Sequence, residues 1–153
     1  MEDNWVSCEV IGETKRYYDD KGIPHRLDGP AIERKDGAQY WFKHGYYHRE
    51  DGPAVYVSEN EYAWYLNGLV HRWDGPAVVH PDGYTCWFQF GRKHNEHGPA
   101  VVTKLKNGKL YKEWWYKGTQ YKNEAAFNKS TPSIEELSEM FEEVHNEQQC
   151  KRD

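Results

Sequence analysis

One eight-residue phrase is written four times at a fixed interval, and this constrains the chain more than any other feature. HRLDGPAI begins at His25, HREDGPAV at His48, HRWDGPAV at His71 and HNEHGPAV at His94, each 23 residues after the last. Gly22, Gly45, Gly68 and Gly91 keep the same step, as do Pro30, Pro53, Pro76 and Pro99. So do Trp41, Trp64 and Trp87, each followed by an aromatic residue: Phe42, Tyr65 and Phe88. A constant period of this kind marks a stacked array, in which each unit buries its apolar face against its neighbours.

Between the proline and the tryptophan of successive units lies a turn signal: Asp36-Gly37, Glu59-Asn60, Asp82-Gly83 and Asn107-Gly108. Asp-Gly and Asn-Gly favour two-residue hairpin turns with positive φ at both central positions. Taking those pairs as turn centres predicts that Ile32 faces Trp41, Val55 faces Trp64 and Val78 faces Trp87. The pairs Ala31–Phe42, Ala54–Tyr65 and Ala77–Phe88 then fall on the opposite face. In the fourth unit Trp114 follows Trp87 by 27 residues, with two of the four extra residues before Asn107-Gly108 and two after. An insertion split evenly across a hairpin lengthens it without exchanging its faces. Val101 is therefore expected opposite Trp114, and Ala100 opposite Trp115. A half-unit precedes the first copy, with Tyr18 in the tryptophan position and a turn at Gly12-Glu13-Thr14 after the strand-like stretch Trp5–Ile11. The array runs from about Trp5 to about Tyr121, with worn ends as terminal repeats have.

Hydrophobic residues make up only 37% of the 153, yet aromatics reach 16%, so burial must come mostly from flat rings, which suit sheet faces. No apolar run approaches the roughly 18 residues of a membrane span, and no secretory leader pattern opens the sequence. Cys8, Cys86 and Cys150 are widely spaced and form no CxxC pair. That spacing points away from a disulfide framework and towards a reducing compartment, hence a cytoplasmic location, in a host cell if the protein is viral. The net charge of −5 resides wholly in residues 130–153, which hold seven acids and two bases. A neutral body argues against binding nucleic acid or anionic membrane through bulk charge.

From Ser130 to about Gln149 the period changes. Ile134, Leu137, Met140, Phe141 and Val144 follow helical spacing, and Thr131-Pro132 or Ser133-x-x-Glu136 would cap the start. Residues 1–129 are thus expected to form the hairpin array, and 130–153 an acidic amphipathic helix and tail within the same domain. That helix would either cap the open end of the sheet or serve as an acidic arm for a basic partner.

The unit Trp–aromatic–x–x–Gly–x–x–His, followed by a glycine and then an Asp-Gly or Asn-Gly turn, resembles the MORN repeat. The resemblance covers about Tyr17 to Tyr121 and rests on Trp64, Gly68, His71, Asp82-Gly83 and their counterparts. It implies a mainly β fold, an elongated, curved antiparallel sheet of hairpins. MORN units continue the histidine as His-Gly-x-Gly. Here the segment is His71-Arg72-Trp73-Asp74-Gly75-Pro76-Ala77, similar to divergent MORN-like arrays of phages, giant viruses and some bacteria. The resemblance implies a scaffold or binding role, and contact with membranes or phosphoinositides in some members.

The His-Arg-x-Asp phrase offers an anion clamp and a proton relay. Its equal reuse in successive units favours a structural role: Arg26 with Asp28, Arg49 with Asp51 and Arg72 with Asp74 would pair across a tight loop. The glycine that follows would take an unusual backbone angle, and the proline would start the next strand. Strand spacing of about 4.8 Å places successive motif histidines roughly 10 Å apart, too far to share an ion at bond lengths of about 2.1 Å. His94, Glu96 and His97 are the one local cluster. Neither a metal nor a cofactor is expected. Phosphate-binding glycine loops, GxSxG and HExxH are absent, and no enzymatic activity is expected.

Aromatic residues at positions the repeat does not require mark the candidate site. Trp73 stands where other units have Leu27, Glu50 and Glu96, Tyr46-Tyr47 replace Ile23-Pro24, and Tyr56 replaces Glu33. Tyr46, Tyr47, His48, Arg49, Arg72 and Trp73 fall in adjacent loops, and Tyr, Trp and Arg dominate binding hot spots. A groove along Trp41, Trp64, Trp87 and Trp114 is the alternative. The expected function is a non-enzymatic protein-binding module, in keeping with a phage-encoded inhibitor or modulator of a host factor. Sequestration of a small anionic ligand such as a nucleotide on the arginine loops is a second reading, and a membrane or phosphoinositide scaffold a third. Open sheet edges would also allow a dimer.

Overall fold

The structure is a computed structural model that describes residues 4–131. The chain is mainly β, one large antiparallel sheet of hairpins that does not close, with a short helix at its C-terminal end. The half-unit supplies β1 (Ser7–Ile11) and β2 (Thr14–Tyr18). The first full unit supplies β3 (Ile32–Glu33), β4 (Gln39–Tyr40), β5 (Phe42–Lys43) and β6 (Tyr46–Tyr47). The second supplies β7 (Val55–Ser58), β8 (Glu61–Ala63), β9 (Tyr65–Leu66) and β10 (Leu69–Val70). The third supplies β11 (Val78–Val79), β12 (Thr85–Cys86), β13 (Phe88–Gln89) and β14 (Arg92–Lys93), and the fourth β15 (Val101–Lys104), β16 (Leu110–Tyr116) and β17 (Thr119–Tyr121). Eleven strands pair in the order β1-β2-β3-β4-β7-β8-β11-β12-β15-β16-β17, while β5-β6, β9-β10 and β13-β14 form separate two-stranded ribbons.

Each unit therefore contains two hairpins, and the turn chemistry assigns them differently from the sequence reading. At Asp36-Gly37 the Arg34 N–H bonds to the Ala38 carbonyl, and only Gly37 takes a positive φ, of 88°. This is a three-residue loop with glycine at the bulge position, and Gly83 and Gly108 repeat it. The extra loop residue moves the register by one; in the second unit Ser58 faces Glu61 across the two-residue turn Glu59-Asn60, and a bulge between Tyr56 and Ser58 makes the same shift. Ile32 faces Tyr40, Val55 faces Ala63, Val78 faces Cys86 and Val101 faces Glu113, each the residue before the tryptophan. The expected valine–tryptophan pairs do not form, and neither do the Ala–aromatic pairs. Four units keep one register all the same, so the insertion in the fourth lengthens its hairpin without exchanging faces.

The two-residue turns with both φ positive lie elsewhere, in the aromatic-x-x-Gly segments. His44-Gly45, Asn67-Gly68, Phe90-Gly91 and Lys117-Gly118 have first-position φ of 47–49°. The chain leaves the large sheet at each tryptophan, turns through this tight ribbon and returns. Tryptophan N–H groups bond across to the next unit: Trp41 to Ala54, Trp64 to Ala77 and Trp87 to Ala100, each at 2.7 Å. In the half-unit Tyr17 makes this bond, to Ala31 at 2.8 Å, so Tyr17 rather than Tyr18 takes the tryptophan's place. One extra residue in the loop Asp19–Gly22, closed by Asp19 N–H to the Ile23 carbonyl, accounts for the offset.

The core is thin, as the low hydrophobic content requires. Ala31, Ala54, Ala77 and Ala100 are wholly buried in a column, beside His25, His71, His94 and Cys86. At the C-terminal end the helix α1 (Glu124–Ser130) starts at Asn123, whose side chain accepts the Ala126 N–H, and buries Phe127. The sequence reading did not foresee this helix. The amphipathic helix expected over Ser130–Gln149 lies outside the described residues, apart from its first two positions. Among the described residues, no helix is long and apolar enough to cross a membrane.

Candidate functional site

Each motif loop is fastened the same way. The Arg49 guanidinium lies 4.0 Å above the Trp41 ring, donates from Nε to Asp51 at 2.8 Å and from Nη1 to the Pro53 carbonyl at 3.5 Å. Arg72 does the same over Trp64 at 4.5 Å, with Asp74 and Pro76, and Arg26 over Tyr17 at 4.1 Å, with Asp28 and Glu33. Hydrogen bonds from these arginines hold the Asp28, Asp51 and Asp74 carboxyls below their ordinary range. The expected arginine–aspartate pairing is thus present in all three loops. The reason for the glycine differs from expectation. Gly29, Gly52 and Gly75 have no positive φ; a Cβ on any of them would strike the guanidinium carbon at 2.5–2.8 Å. Glycine is there so that the arginine can lie flat between backbone and aromatic ring.

The histidines fasten one unit to the next. Nδ1 of His25, His48, His71 and His94 accepts the backbone N–H of His44, Asn67, Phe90 and Lys117, at 3.0–3.2 Å. These donors are the residues held at positive φ. Burial lowers the pKa of His71 and, as the largest influence, of His94. Nδ1 of each motif histidine is thus an acceptor for the next ribbon's backbone and carries no proton of its own. His94 Nε2 lies 3.3 Å from Glu96 without hydrogen-bond geometry. Among the described residues no group of three His, Cys, Asp or Glu is placed to hold a metal ion.

The units differ in what they show to solvent, and here the second and third stand out. A cleft of about 570 Å³ lies between their loops, with Trp64 and Leu66 as apolar lining, Trp73 as a wall, and Glu50, Asp51 and Asp74 at the rim. Trp73 is 65% exposed, yet its ring is braced edge-on by His71 at 4.7 Å and Phe90 at 5.5 Å. Tyr46, also 65% exposed, lies over the next unit's ribbon, where a Cβ on Gly68 would come within 2.9 Å of its ring. Tyr47 is turned inward instead, stacked on Phe42 at 4.3 Å and against Tyr65 at 5.1 Å, and burial raises its pKa.

Of the residues singled out from sequence, Arg49, Arg72 and Trp73 line this one cleft, whereas Tyr46 and Tyr47 sit on the neighbouring ribbon and His48 beneath Asn67. Of the alternative set Trp41, Trp64, Trp87 and Trp114, the first two line adjoining clefts that share Arg49, Glu50 and Asp51. Trp41 and Trp64 each lie beneath an arginine, Arg49 and Arg72, and the Trp114 indole N–H is buried. Sequence reasoning missed Leu66, Glu50, Asp51 and Asp74 as cleft residues. Comparing units would have found Leu66, which stands where the neighbouring copies carry Lys43 and Gln89. Comparison of the chain with protein families, curated proteins and solved structures finds no match.

Proposed function

We propose that the chain is a non-enzymatic protein-binding module, a MORN-like array whose contact surface is the Trp73 cleft with Tyr46 beside it. The observation that carries this reading is Trp73 itself, a large ring 65% exposed yet braced edge-on by the stacked His71–Phe90 pair, next to a cleft with an apolar lining. A ring already fixed loses little freedom on docking, and rigid aromatic anchors beside pockets dominate binding energy. Asp51 and Asp74 are already paired with Arg49 and Arg72, but Glu50 exposes 82% of its side chain at the rim outside those pairs, so the partner segment would bring a basic group to Glu50 beside an apolar one. Likeness to phage-encoded arrays makes a host factor in the cytoplasm the class of protein to search, with inhibition or redirection as the outcome.

Capture of a small anion is disfavoured by the arginine geometry, since Arg49 and Arg72 already satisfy an aspartate and a carbonyl each. Affinity capture from lysate with wild type and Trp73→Ala tests the proposal. A specific protein retained by wild type and lost from the variant, at unchanged thermal stability, is the expected result. Equal retention by both would refute the site, and nucleotide binding abolished by Arg72→Ala in a folded protein would replace the reading. Sedimentation with phosphoinositide vesicles would favour the membrane scaffold.

A further inference from the structure

The two ends of the large sheet are treated differently. At the C-terminal end α1 packs on β16 and β17, burying Phe127 against Tyr121. At the other end β1 pairs only with β2 among the described residues, and all five of its residues are exposed. It is longer than most strands here and carries no proline and no lysine, the residues that usually blunt an edge. Val6 and Val10 are each 61% exposed, Ile11 52% and Trp5 40%.

The backbone of β1 is poised for another strand. Across the two-residue turn Gly12-Glu13, the pairs Ile11/Thr14, Glu9/Arg16 and Ser7/Tyr18 are the ones that exchange hydrogen bonds within the hairpin. Tyr17 accordingly points its N–H the other way, to Ala31. Cys8 and Val10 therefore direct N–H and C=O outward. The Val6 N–H is already used by the Tyr18 carbonyl.

We propose that β1 is a homodimer interface, in which two copies pair antiparallel about a twofold axis at Cys8. The strand is self-complementary in that register and poorly so in its neighbours. Cys8 meets Cys8, Val6 meets Val10 of the second copy, Trp5 meets Ile11, and the single carboxylate, Glu9, meets Ser7. Centring on Glu9 would set two carboxylates against each other, and centring on Val10 would leave Trp5 and Val6 without partners. Main-chain bonds then form between the two Cys8 residues and from each Val10 N–H to the opposing Val6 carbonyl, joining two eleven-stranded sheets. A twofold contact of this kind uses the same edge of both copies and so closes on itself at that edge.

Sedimentation velocity on the full chain carrying Cys150→Ser, across micromolar concentrations, tests the proposal. The expected result is a dimer that mild oxidation locks through Cys8, because facing residues of an antiparallel pair lie within disulfide reach. Val10→Lys should give a folded monomer whose thermal midpoint no longer rises with protein concentration and matches that of wild type diluted to the monomer, since the Val10 side chain is mostly solvated in the free chain. A monomer at every concentration, a dimer indifferent to Val10→Lys, or a dimer that oxidation does not lock through Cys8 would overturn it. Trp73→Ala should dimerise like wild type, so failure of the partner surface and failure of this interface are read separately.

Discussion

Phe90 donates its backbone N–H to Nδ1 of His71 at 3.2 Å, and the two rings stack 4.2 Å apart. Phe90 can donate there because it sits at φ 47°, an angle most side chains avoid. The histidine thus fixes a strained turn in the following unit, and the same bond recurs at four junctions. It explains why histidine keeps the 23-residue period as strictly as glycine does: an acceptor is needed at that position, and it must be neutral.

Acid should therefore open these junctions. A proton on Nδ1 removes the acceptor, and burial already lowers the pKa of His71 and His94. For a base with a depressed folded pKa, stability is full above the unfolded value, near 6.5, and falls as pH drops below it towards the folded value. Thermal midpoints should fall between pH 7 and pH 5. The arginine-paired Asp28, Asp51 and Asp74, also depressed, lose their contribution only below about pH 4, a separate window. A flat midpoint from pH 7 to 5 would contradict the histidine bonds.

The loop glycines give a paired prediction. In Gly75→Ala the new Cβ would lie 2.7 Å from the Arg72 guanidinium carbon, lifting it off Trp64 and away from Asp74. Losing an exposed cation–π contact and a surface ion pair should cost about 1–2 kcal/mol in urea unfolding. In the fourth unit Asn95 replaces the arginine, and a Cβ on Gly98 meets only Asn95 at 3.7 Å. Gly98→Ala should be neutral or stabilising by up to about 1 kcal/mol. Equal effects at the two sites would mean that arginine stacking is not what selects glycine.

Turn strain makes a third. Lys117 is held at φ 49° with its ammonium 5.0 Å from the Tyr116 ring. Asparagine tolerates that region better, so Lys117→Asn should gain about 0.5 kcal/mol after the lost ring contact is offset. The same change at Phe90 removes its stacking on His71 and its edge contact with Trp73 and should destabilise. Thermal unfolding of the two variants should thus shift in opposite directions.

The array, its period and its hairpins were legible because repetition exposes what each position must do. Arg49 and Asp51 read as a pair from spacing alone. The register was not legible, since Asp-Gly serves both a two-residue turn and a three-residue loop with a glycine bulge, and the two differ by one residue. That single residue decided whether Val78 met Trp87 or Cys86. The true two-residue turns hid behind His44, Phe90 and Lys117, which carry no turn signal of their own. Trp73 was identifiable as an intruder in its unit, whereas its bracing by Phe90 depends on a fold-back that no pattern declares.

At the C-terminal end the prediction concerns how far a defect travels. A seven-residue helix is too short to hold itself in water, so α1 depends on Phe127, which is 2% exposed and meets Tyr121 edge-on at 5.8 Å. Phe127→Ala should cost about 3 kcal/mol locally, and Asn123→Ala about 1 kcal/mol through the lost cap. Units in an array hold chiefly their nearest neighbours, so the loss should stay at the end. Hydrogen exchange should quicken at Thr119–Tyr121 and in the outer half of β16, while amides of Trp41 and Trp64 keep wild-type protection. If exchange rises equally in all units, the fold opens as one cooperative block, and the helix closes the whole sheet rather than its last strand.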